Sequence, residues 1–341
     1  VTRGKYSNDI LVIDANNYTL VKQIPGGKYN GPIEVNKRLN EAYILSGNYQ
    51  DTNLYILDLE AFEVTETIDL KDDLGTLTLS DNTLCVTTEK GVTLIDTISR
   101  EVTNQVAMNT SYWKQIVTHP YLPVVYVVNN PSVNNYYPFI QVLELETGEL
   151  LQNIKHLTLN KTPDGAITGL AITPDGSELY CVSQMKELVV VNTTDYTRIY
   201  SGSVELPDYY GKPDHIYFNE NGSLAYFIYW GGIPIDTPMP DVPSLIAVMD
   251  TGTFEFTDII EVDEYAGLGM MVAKKHDSTP DLHAYIMVNR YSYSSTSHTM
   301  VKVTDDVLEE SPILCEAFRI EAQSNALGYA HPVEWVICSD E

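Results

Sequence analysis

The amino-acid sequence predicts an all-β protein, a seven-bladed β-propeller of four-stranded blades whose first and last strands share one blade. Three observations predict this fold: a strand motif that recurs seven times, a second motif that alternates with it seven times, and chain ends that fall in complementary halves of the repeat. Four-stranded units that repeat about every 40 to 50 residues are typical of propeller blades. We therefore interpret residues 1–341 as one domain.

The first motif is a run of apolar residues that closes on an acid or a substitute for it. Its seven copies end at Asp14, Asp58, Asp96, Glu144, Asn192, Asp250 and, in a degraded form, Thr304. Short apolar runs that are bounded by turn-forming residues favour strands over helices. We assign this motif to the third strand of each blade.

The second motif is an aromatic residue or Leu, followed by apolar residues and a small polar one. Its copies start at Tyr43, Leu84, Tyr126, Tyr180, Tyr226, Tyr285 and Trp335. Tight-turn sequences precede it, most clearly Thr173-Pro174-Asp175-Gly176 and Asn219-Glu220-Asn221-Gly222. Asn and Asp followed by Gly are typical of hairpin turns, so this motif is the second strand of each blade.

One complete unit shows all four strands. The pattern predicts strands over residues 166–172, 178–182, 188–191 and 199–205. The chain begins with strands three and four of such a unit (residues 10–24) and ends with strands one and two (residues 327–338). Because exposed strand edges are a liability, we expect the two halves to pair and to close a ring of seven blades.

The motifs also carry a family resemblance. The Pro-Asp-Gly turn, the Tyr-Val-Val-Asn sequence from Tyr126 to Asn129 and the strand that closes on an acid resemble the YVTN-repeat propellers, a family that includes surface-layer and cell-envelope proteins. The chain is also similar to the propeller subunits of quinoprotein amine dehydrogenases. The resemblance implies the fold and a location outside the reducing cytosol, but function depends on the site that a fold carries.

Composition narrows the classes of partner. With 20 Lys and Arg against 47 Asp and Glu, the formal net charge is −27. Such a charge repels nucleic acid and anionic lipid and attracts cationic or basic partners, and the alternative is that it serves only to keep the chain soluble. No apolar run is long enough to span a membrane, and the start at Val1 is consistent with a processed, exported chain.

The four cysteines have no metal-type spacing. Cys85 and Cys181 fall in predicted core strands, where a free thiol behaves as a small apolar group. A bridge between Cys315 and Cys338 is an open alternative for the other two.

Tyrosines concentrate in the loops that enter the first strands and in those that join second to third strands. A Tyr or Trp ring offers a rigid apolar plate with a polar tip, which suits contact with protein or glycan. The alternative is that these rings pack against neighbouring loops and stiffen the rim. The residues that we predict to bind a partner are Tyr112, Trp113, Tyr136, Tyr137, Tyr209, Tyr210, Tyr229, Trp230, Tyr291 and Tyr293. Residues 229–244, with four prolines, form the longest of these loops.

Signals of catalysis are few. The seven histidines have no metal-ligand spacing, and the sequence has no nucleophile elbow or phosphate loop. We predict no metal site, no cofactor and no catalytic residue in the isolated chain. His215 and His331 fall near first strands, where a propeller lyase or lactonase keeps an acid–base residue, and a structural role is the alternative. The cluster of Asp69, Asp72 and Asp73 offers oxygen ligands for calcium but lacks an EF-hand-like pattern.

Three hypotheses follow. The first is a non-enzymatic extracytoplasmic propeller that binds a protein or glycan partner through its tyrosine-rich loops. The second is a cofactor-free propeller subunit of a multi-subunit redox enzyme, as the amine dehydrogenase resemblance implies. The third is a lyase or lactonase with its site at the central pore.

Overall fold

The computed structural model of the chain is built from antiparallel β-strands. It describes residues 9–13, 20–26, 30–48, 51–70, 75–88, 90–108, 115–130, 138–155, 157, 166–203, 213–219, 221–229, 244–263, 266–275, 282–291, 296–304 and 307–310. Among these residues no helix is long and apolar enough to cross a membrane. The prediction of an all-β fold with four-stranded antiparallel sheets is confirmed.

The described residues form six four-stranded sheets and one two-stranded sheet, each with its strands in chain order. The terminal sheet contains β1 (Asp9–Ile13) and β2 (Leu20–Pro25). Sheet 1 contains β3 (Asn30–Asn36), β4 (Glu41–Asn48), β5 (Asp51–Asp58) and β6 (Glu63–Asp69). Sheet 2 contains β7 (Leu77–Ser80), β8 (Thr83–Thr88), β9 (Gly91–Asp96) and β10 (Val102–Ala107). Sheet 3 contains β11 (Ile116–Thr118), β12 (Val124–Asn129), β13 (Phe139–Glu144) and β14 (Leu150–Ile154).

The remaining sheets repeat this order. Sheet 4 contains β15 (Ile167–Ile172), β16 (Glu178–Ser183), β17 (Glu187–Asn192) and β18 (Arg198–Ser203). Sheet 5 contains β19 (Pro213–Phe218), β20 (Leu224–Tyr229), β21 (Ser244–Asp250) and β22 (Glu255–Asp263). Sheet 6 contains β23 (Ala266–Lys275), β24 (Leu282–Tyr291), β25 (Thr296–Thr304) and β26 (Val307–Glu310). The four strands predicted for one unit match sheet 4 to within two residues. The predicted terminal strands at 327–338, and with them Cys315, Cys338 and His331, lie outside the described residues.

The hydrophobic core lies between successive sheets. Ile10 and Ile24 of the terminal sheet pack with Ile44 of sheet 1, and similar clusters join sheets 1 and 2, 2 and 3, 3 and 4, and 4 and 5. Sheets 1 to 4 therefore bury both of their faces, which explains why their middle strands are continuous apolar runs. Cys85 and Cys181 are buried free thiols in two of these clusters, as predicted.

The first strands of the sheets contact one another in chain order, from β3 through β7, β11, β15 and β19 to β23. Side chains join them directly. The Thr118 hydroxyl donates to the Leu79 carbonyl at 3.1 Å, and the Thr168 hydroxyl donates to the Pro213 carbonyl at 2.6 Å. The sheets thus stand side by side with their first strands next to one another, which is a propeller-like architecture.

In sheets 1, 3 and 4 a tyrosine of the second strand meets the next sheet at the same place. In sheet 4, Tyr180 contacts Phe254 of sheet 5, with ring centroids 6.4 Å apart, and Phe254 stacks on Tyr200 of sheet 4 at 4.6 Å. Phe254 has a φ of 57°, in the left-handed region that a bulky residue rarely adopts. Packing between sheets therefore compensates a backbone cost at this turn.

The same turn position is used in other sheets. Arg100 of sheet 2 has a φ of 65° and reaches back to sheet 1. It is hydrogen-bonded and ion-paired to the Glu41 carboxylate, and it donates to the Tyr43 hydroxyl at 3.2 Å. Tyr196 of sheet 4, with a φ of 60°, packs on the cluster that contains Tyr126 of sheet 3.

Sheet 2 departs from this pattern, and the start of its second-strand motif, which the sequence placed at Leu84, is corrected here. Its second strand pairs Thr83 with Asp96, whereas Glu178 pairs with Asn192 in sheet 4. Tyr180 lies two residues after Glu178, and the residue two after Thr83 is Cys85. Cys85, and not Leu84, therefore occupies the tyrosine position in sheet 2. The left-handed residue of the following sheet is Gly148, with a φ of 70°. The small Cys85 in the tyrosine position of sheet 2 thus corresponds to the small Gly148 in the left-handed turn position of sheet 3.

The fourth strands carry a bulge at one recurring position. The register shifts at this place in the terminal sheet and in sheets 1 to 5. The bulged residues are Val21, Thr65, Thr103, Leu151, Ile199 and Thr257. Three of the four-stranded sheets have a Thr there, and its hydroxyl donates to a third-strand carbonyl at 3.2 to 3.4 Å. A bulge twists an outer strand away from a regular edge and so hinders pairing with another chain.

The ion pair between sheets 1 and 2 gives a direct test of the packing between sheets. We expect Arg100→Met to lower the free energy of unfolding by about 2 kcal/mol, because it leaves the mostly buried Glu41 carboxylate without its cation. The matched control is Arg38→Met, which removes an exposed pair with Asp81 at 3.8 Å and should cost less than about 0.5 kcal/mol. Chemical denaturation of both variants measures the difference. Equal losses would contradict the assigned role of Arg100.

Candidate functional site

The molecule presents two different faces. The hairpin face carries the turns between first and second strands and between third and fourth strands, and each of these connections has two to six residues. The loop face carries the connections between second and third strands and between consecutive sheets. Its longest connections are residues 130–138, 155–166, 204–212 and 230–243. Of the ten residues predicted to bind a partner, eight fall within connections of these two kinds in the sequence, and Tyr229 and Tyr291 are the last residues of second strands.

Most of these ten residues fall outside the part of the chain that the structure describes. They are Tyr112, Trp113, Tyr136, Tyr137, Tyr209, Tyr210, Trp230 and Tyr293. The backbone of Tyr291 is described, as the last residue of β24. Tyr229 alone is described with its side chain.

The prediction that Tyr229 binds a partner requires an exposed ring, which the structure does not show. Tyr229 is the last residue of β20, and its side chain is 0% exposed in the cluster between sheets 4 and 5. Burial raises the pKa of its phenol, and its buried hydroxyl has no hydrogen-bond partner among the described residues. The reason for the error is register: Tyr229 still pairs with Leu245 and Pro213, so the strand continues to this residue and directs it into the core.

Two side chains that the sequence analysis did not single out hold the base of the loop face. Asn130 follows β12 and makes two hydrogen bonds to Ile167 of the next sheet: its amide donates to the carbonyl at 2.8 Å, and its oxygen accepts from the backbone N–H at 3.0 Å. Thr168 in turn bonds to Pro213 of sheet 5. Because both residues are buried, these bonds fix the starts of β15 and β19 relative to one another.

His215 lies on the first strand of sheet 5, as its place in the sequence suggested. Its ring stacks on Tyr217 at a centroid distance of 6.1 Å, and burial lowers its pKa to about 4. Burial is the cause of this shift, and no carboxylate of the described residues contributes to it. The imidazole is therefore neutral at neutral pH. A catalytic role for His215, like that of His331, stays an untested hypothesis.

The acids that close the third strands work as turn caps. In sheet 2, the Asp96 carboxylate accepts hydrogen bonds from the backbone N–H groups of Ile98 at 3.0 Å and Ser99 at 2.6 Å. These bonds, with the one to Ser99 foremost, lower the pKa of Asp96. Equivalent bonds reach Asp58, Glu144, Asn192 and Asp250. The repeating acid is thus explained by local structure.

The described residues hold no group of three His, Cys, Asp or Glu side chains arranged to bind a metal ion. Asp72 and Asp73, which belonged to the possible calcium cluster, lie outside those residues. The turn acids are already satisfied by backbone donors. What the hairpin face shows is therefore a set of internally capped turns.

Comparison with known proteins supports the fold and leaves function open. No protein-family model matches the chain, and no curated protein matches its sequence. Among solved structures it is similar to one described as a complex of KlAtg21 with the coiled-coil of AgAtg16, at 10% identity and a TM-score of 0.62, over 83% of this chain and 88% of that one. At that identity the likeness shows the fold alone, so function has to be argued from the site.

The turn caps predict how one acid can be replaced. Asp96→Ala should lower the free energy of unfolding by about 1 kcal/mol, because two backbone donors lose their acceptor at an exposed turn. Asp96→Asn should be nearly neutral at pH 7, since Asn192 caps the same turn in sheet 4. Thermal unfolding of the two variants measures this difference.

The two variants should also differ in acid. The folded-state pKa of Asp96 is lowered, so its contribution is present above the unfolded value of about 3.9 and is lost as the pH falls through the folded value. The Asn variant should not lose this contribution in acid. If Asp96→Ala and Asp96→Asn unfold at the same temperature at pH 7, the acid is not acting as a cap.

Proposed function

We propose that this chain is a closed seven-bladed propeller that binds a protein or glycan partner outside the reducing cytosol, through its loop face. One observation carries the proposal, namely the difference between the two faces. The hairpin face is made of short turns that cap themselves, whereas the long connections and most of their aromatic residues belong to the loop face. Sites of recognition commonly lie on loops that a rigid scaffold positions.

The scaffold beneath this face is well suited to hold such loops. Asn130 and Thr168 lock the starts of two first strands, and buried clusters fill the space between the sheets. Loops that begin and end on fixed strands lose less entropy when they bind. The net charge of −27 favours a partner with basic groups over nucleic acid or anionic lipid.

The aromatic set of the proposal is corrected by the structure. Tyr229 belongs to the core and is removed from it. The candidates that remain in the two long connections between second and third strands are Tyr136, Tyr137 and Trp230. Trp230 directly follows the buried Tyr229 in the sequence.

The closed ring is part of the same proposal. Ile10 and Ile24 are buried against sheet 1 although β1 and β2 form a two-stranded sheet among the described residues. Strands from residues 327–338 would complete that sheet as its first and second strands and supply the cover of a full blade.

A truncation tests closure. Deleting residues 327–341 should lower the unfolding temperature strongly or make the chain insoluble, because β1 and β2 lose their predicted partners and expose strand edges. The comparison is the full chain in the same buffer, followed by near-UV circular dichroism and calorimetry. A truncated chain that unfolds at the temperature of the full chain would show that the two ends do not share a blade.

Binding is tested on the loop face with a matched control on the hairpin face. The full chain is immobilised and probed with a glycan array and with extract from its native source. Tyr137→Ala with Trp230→Ala should reduce binding at least tenfold, since aromatic anchors are commonly worth about 2 kcal/mol or more each. The control is Tyr121→Ala, because Tyr121 is 74% exposed on the hairpin face.

Both variants should keep the unfolding temperature of the parent chain to within a few degrees, because exposed positions contribute little to stability. Binding that survives the double change, or that disappears in Tyr121→Ala alone, would place recognition away from the loop face. A double variant that loses stability and keeps its ligand would show instead that the rings pack within the rim.

A further inference from the structure

The turn between the first and second strands is capped by a side chain at one recurring position. In sheets 1, 4 and 5 the capping residues are Asn36, Thr173 and Asn219. Their side-chain oxygens accept from the backbone N–H groups of Leu39, Glu178 and Leu224, at 3.0 to 3.1 Å. None of these three caps can gain or lose a proton near neutral pH.

In sheet 3 the same position is His119. Its backbone N–H donates to the Val124 carbonyl, just as that of Thr173 donates to Glu178, which establishes the equivalence. The Nδ1 atom of His119 accepts two hydrogen bonds, from the backbone N–H groups of Tyr121 and Leu122, each at 3.0 Å. An imidazole nitrogen accepts only when it carries no proton, so the turn requires the neutral ring with its proton on Nε2.

The other edge of the ring meets the next sheet. His119 is hydrogen-bonded to the backbone of Gly176, in the Pro-Asp-Gly turn of sheet 4. A β-carbon at Gly176 would lie 2.5 Å from Cε1 and 2.8 Å from Nε2 of His119. Gly176 also has a φ of 75°, so the glycine allows both the turn and the close approach. One side chain thus caps its own turn and joins sheet 3 to sheet 4.

Two groups face this imidazole in the described structure. The Asp175 carboxylate of sheet 4 attracts a proton to it, and the ring of Tyr121 lies edge-on at a centroid distance of 6.3 Å. Burial acts in the opposite direction and is the larger effect, because His119 is only 6% exposed. The folded protein therefore holds His119 in its neutral form, and its pKa is lowered from that of an exposed histidine.

We infer that His119 is a proton-operated cap, so that the joint between sheets 3 and 4 loosens on mild acidification while the equivalent joints do not. Proton uptake at Nδ1 turns an acceptor into a donor. Two backbone N–H groups then lose their partner, and a third donor faces them. The turn that changes shape carries Tyr121 and Leu122, both largely exposed, so the surface presented around them changes with pH.

The direction of the pH effect on stability follows from the difference between the folded and unfolded pKa values of His119. Because the folded-state pKa lies below the unfolded value of about 6.5, the contribution of His119 is fully present above that pH. It is lost as the pH falls below it, since the unfolded chain takes up the proton first. The loosening is thus expected as the pH falls below about 6.5.

Hydrogen exchange of the full chain tests this directly. Amide protection is measured at pH 7.5 and at pH 5, with correction for the intrinsic pH dependence of exchange. The amides of Tyr121 and Leu122 should lose protection by roughly tenfold at pH 5, the size expected for the loss of about one net hydrogen bond or more. The turn amides of Glu178 and Leu224, capped by Thr173 and Asn219, serve as internal controls and should not change. Equal protection of Tyr121 and Leu122 at both pH values would overturn the inference.

Variants identify the group that takes up the proton. His119→Asn places the cap of sheets 1 and 5 into sheet 3, and its turn should keep the same protection at both pH values. His215→Asn removes a second histidine whose pKa burial lowers, and it should leave the pH response of the turn intact. If the response persists in His119→Asn, or vanishes in His215→Asn, another group is responsible. Should His119→Asn fail to fold, nitrogen NMR of His119 in the parent chain decides, because Nδ1 must be the unprotonated nitrogen at pH 7.5.

Discussion

Face-to-face packing of successive sheets is the interaction on which the rest of this structure depends. A single four-stranded sheet has two apolar faces here, and neither is covered by anything within the sheet. The clusters between sheets supply that cover, from Ile10 and Ile24 at one end to Tyr229 and Met249 at the other. Sheets 1 to 4 therefore each depend on a neighbour on either side for their buried core. The closure that we propose would give the terminal sheet the same cover.

The repeat motifs follow from that requirement. A third-strand acid caps the turn to the fourth strand, and the turn places its left-handed residue against the preceding sheet. Phe254 and Tyr196 fill space beside Tyr180 and Tyr126, while Arg100 satisfies the hydroxyl of Tyr43. The cost of a positive φ at such residues is of order 1 kcal/mol, and the contact with the neighbouring sheet offsets it. The same turn residues therefore determine both the shape of the turn and the packing between sheets.

Much of this arrangement could be predicted from the sequence, because its signals are local. Alternation, turn residues and the recurring acid located the strands of sheet 4 almost to the residue. The place of Cys85 could not be found in the same way, because the turn before it is shorter than in other sheets and shifts the register by one residue. The correspondence of Cys85 with the left-handed Gly148 is equally invisible in sequence, since Gly148 lies on another sheet.

Tyr229 shows a different limit of the sequence. Its neighbours in the chain are a tryptophan and a proline-rich segment, which indicate a loop, yet its strand continues one residue further than that boundary suggests. Whether the last side chain of a strand points to the core or to solvent depends on register, and a single residue reverses the answer. Asn130, one step beyond its strand, has the same ambiguity and proves to be a buried clamp.

These constraints are unevenly distributed between the two faces, and that difference bears on function. On the hairpin face an acid, Asn or Thr side chain caps most of the described turns. Some of these turns also contact the next turn, as Gly176 does with His119 and Gly222 with Pro174. On the loop face the described structural bonds stop at residues such as Asn130 and Thr168, beside the first strands. The segments beyond those residues contain no copy of the repeat motifs, and their lengths differ from one sheet to the next. The partner site that we propose belongs to those segments, whereas a change at His119 or Gly176 acts on the contact between sheets 3 and 4.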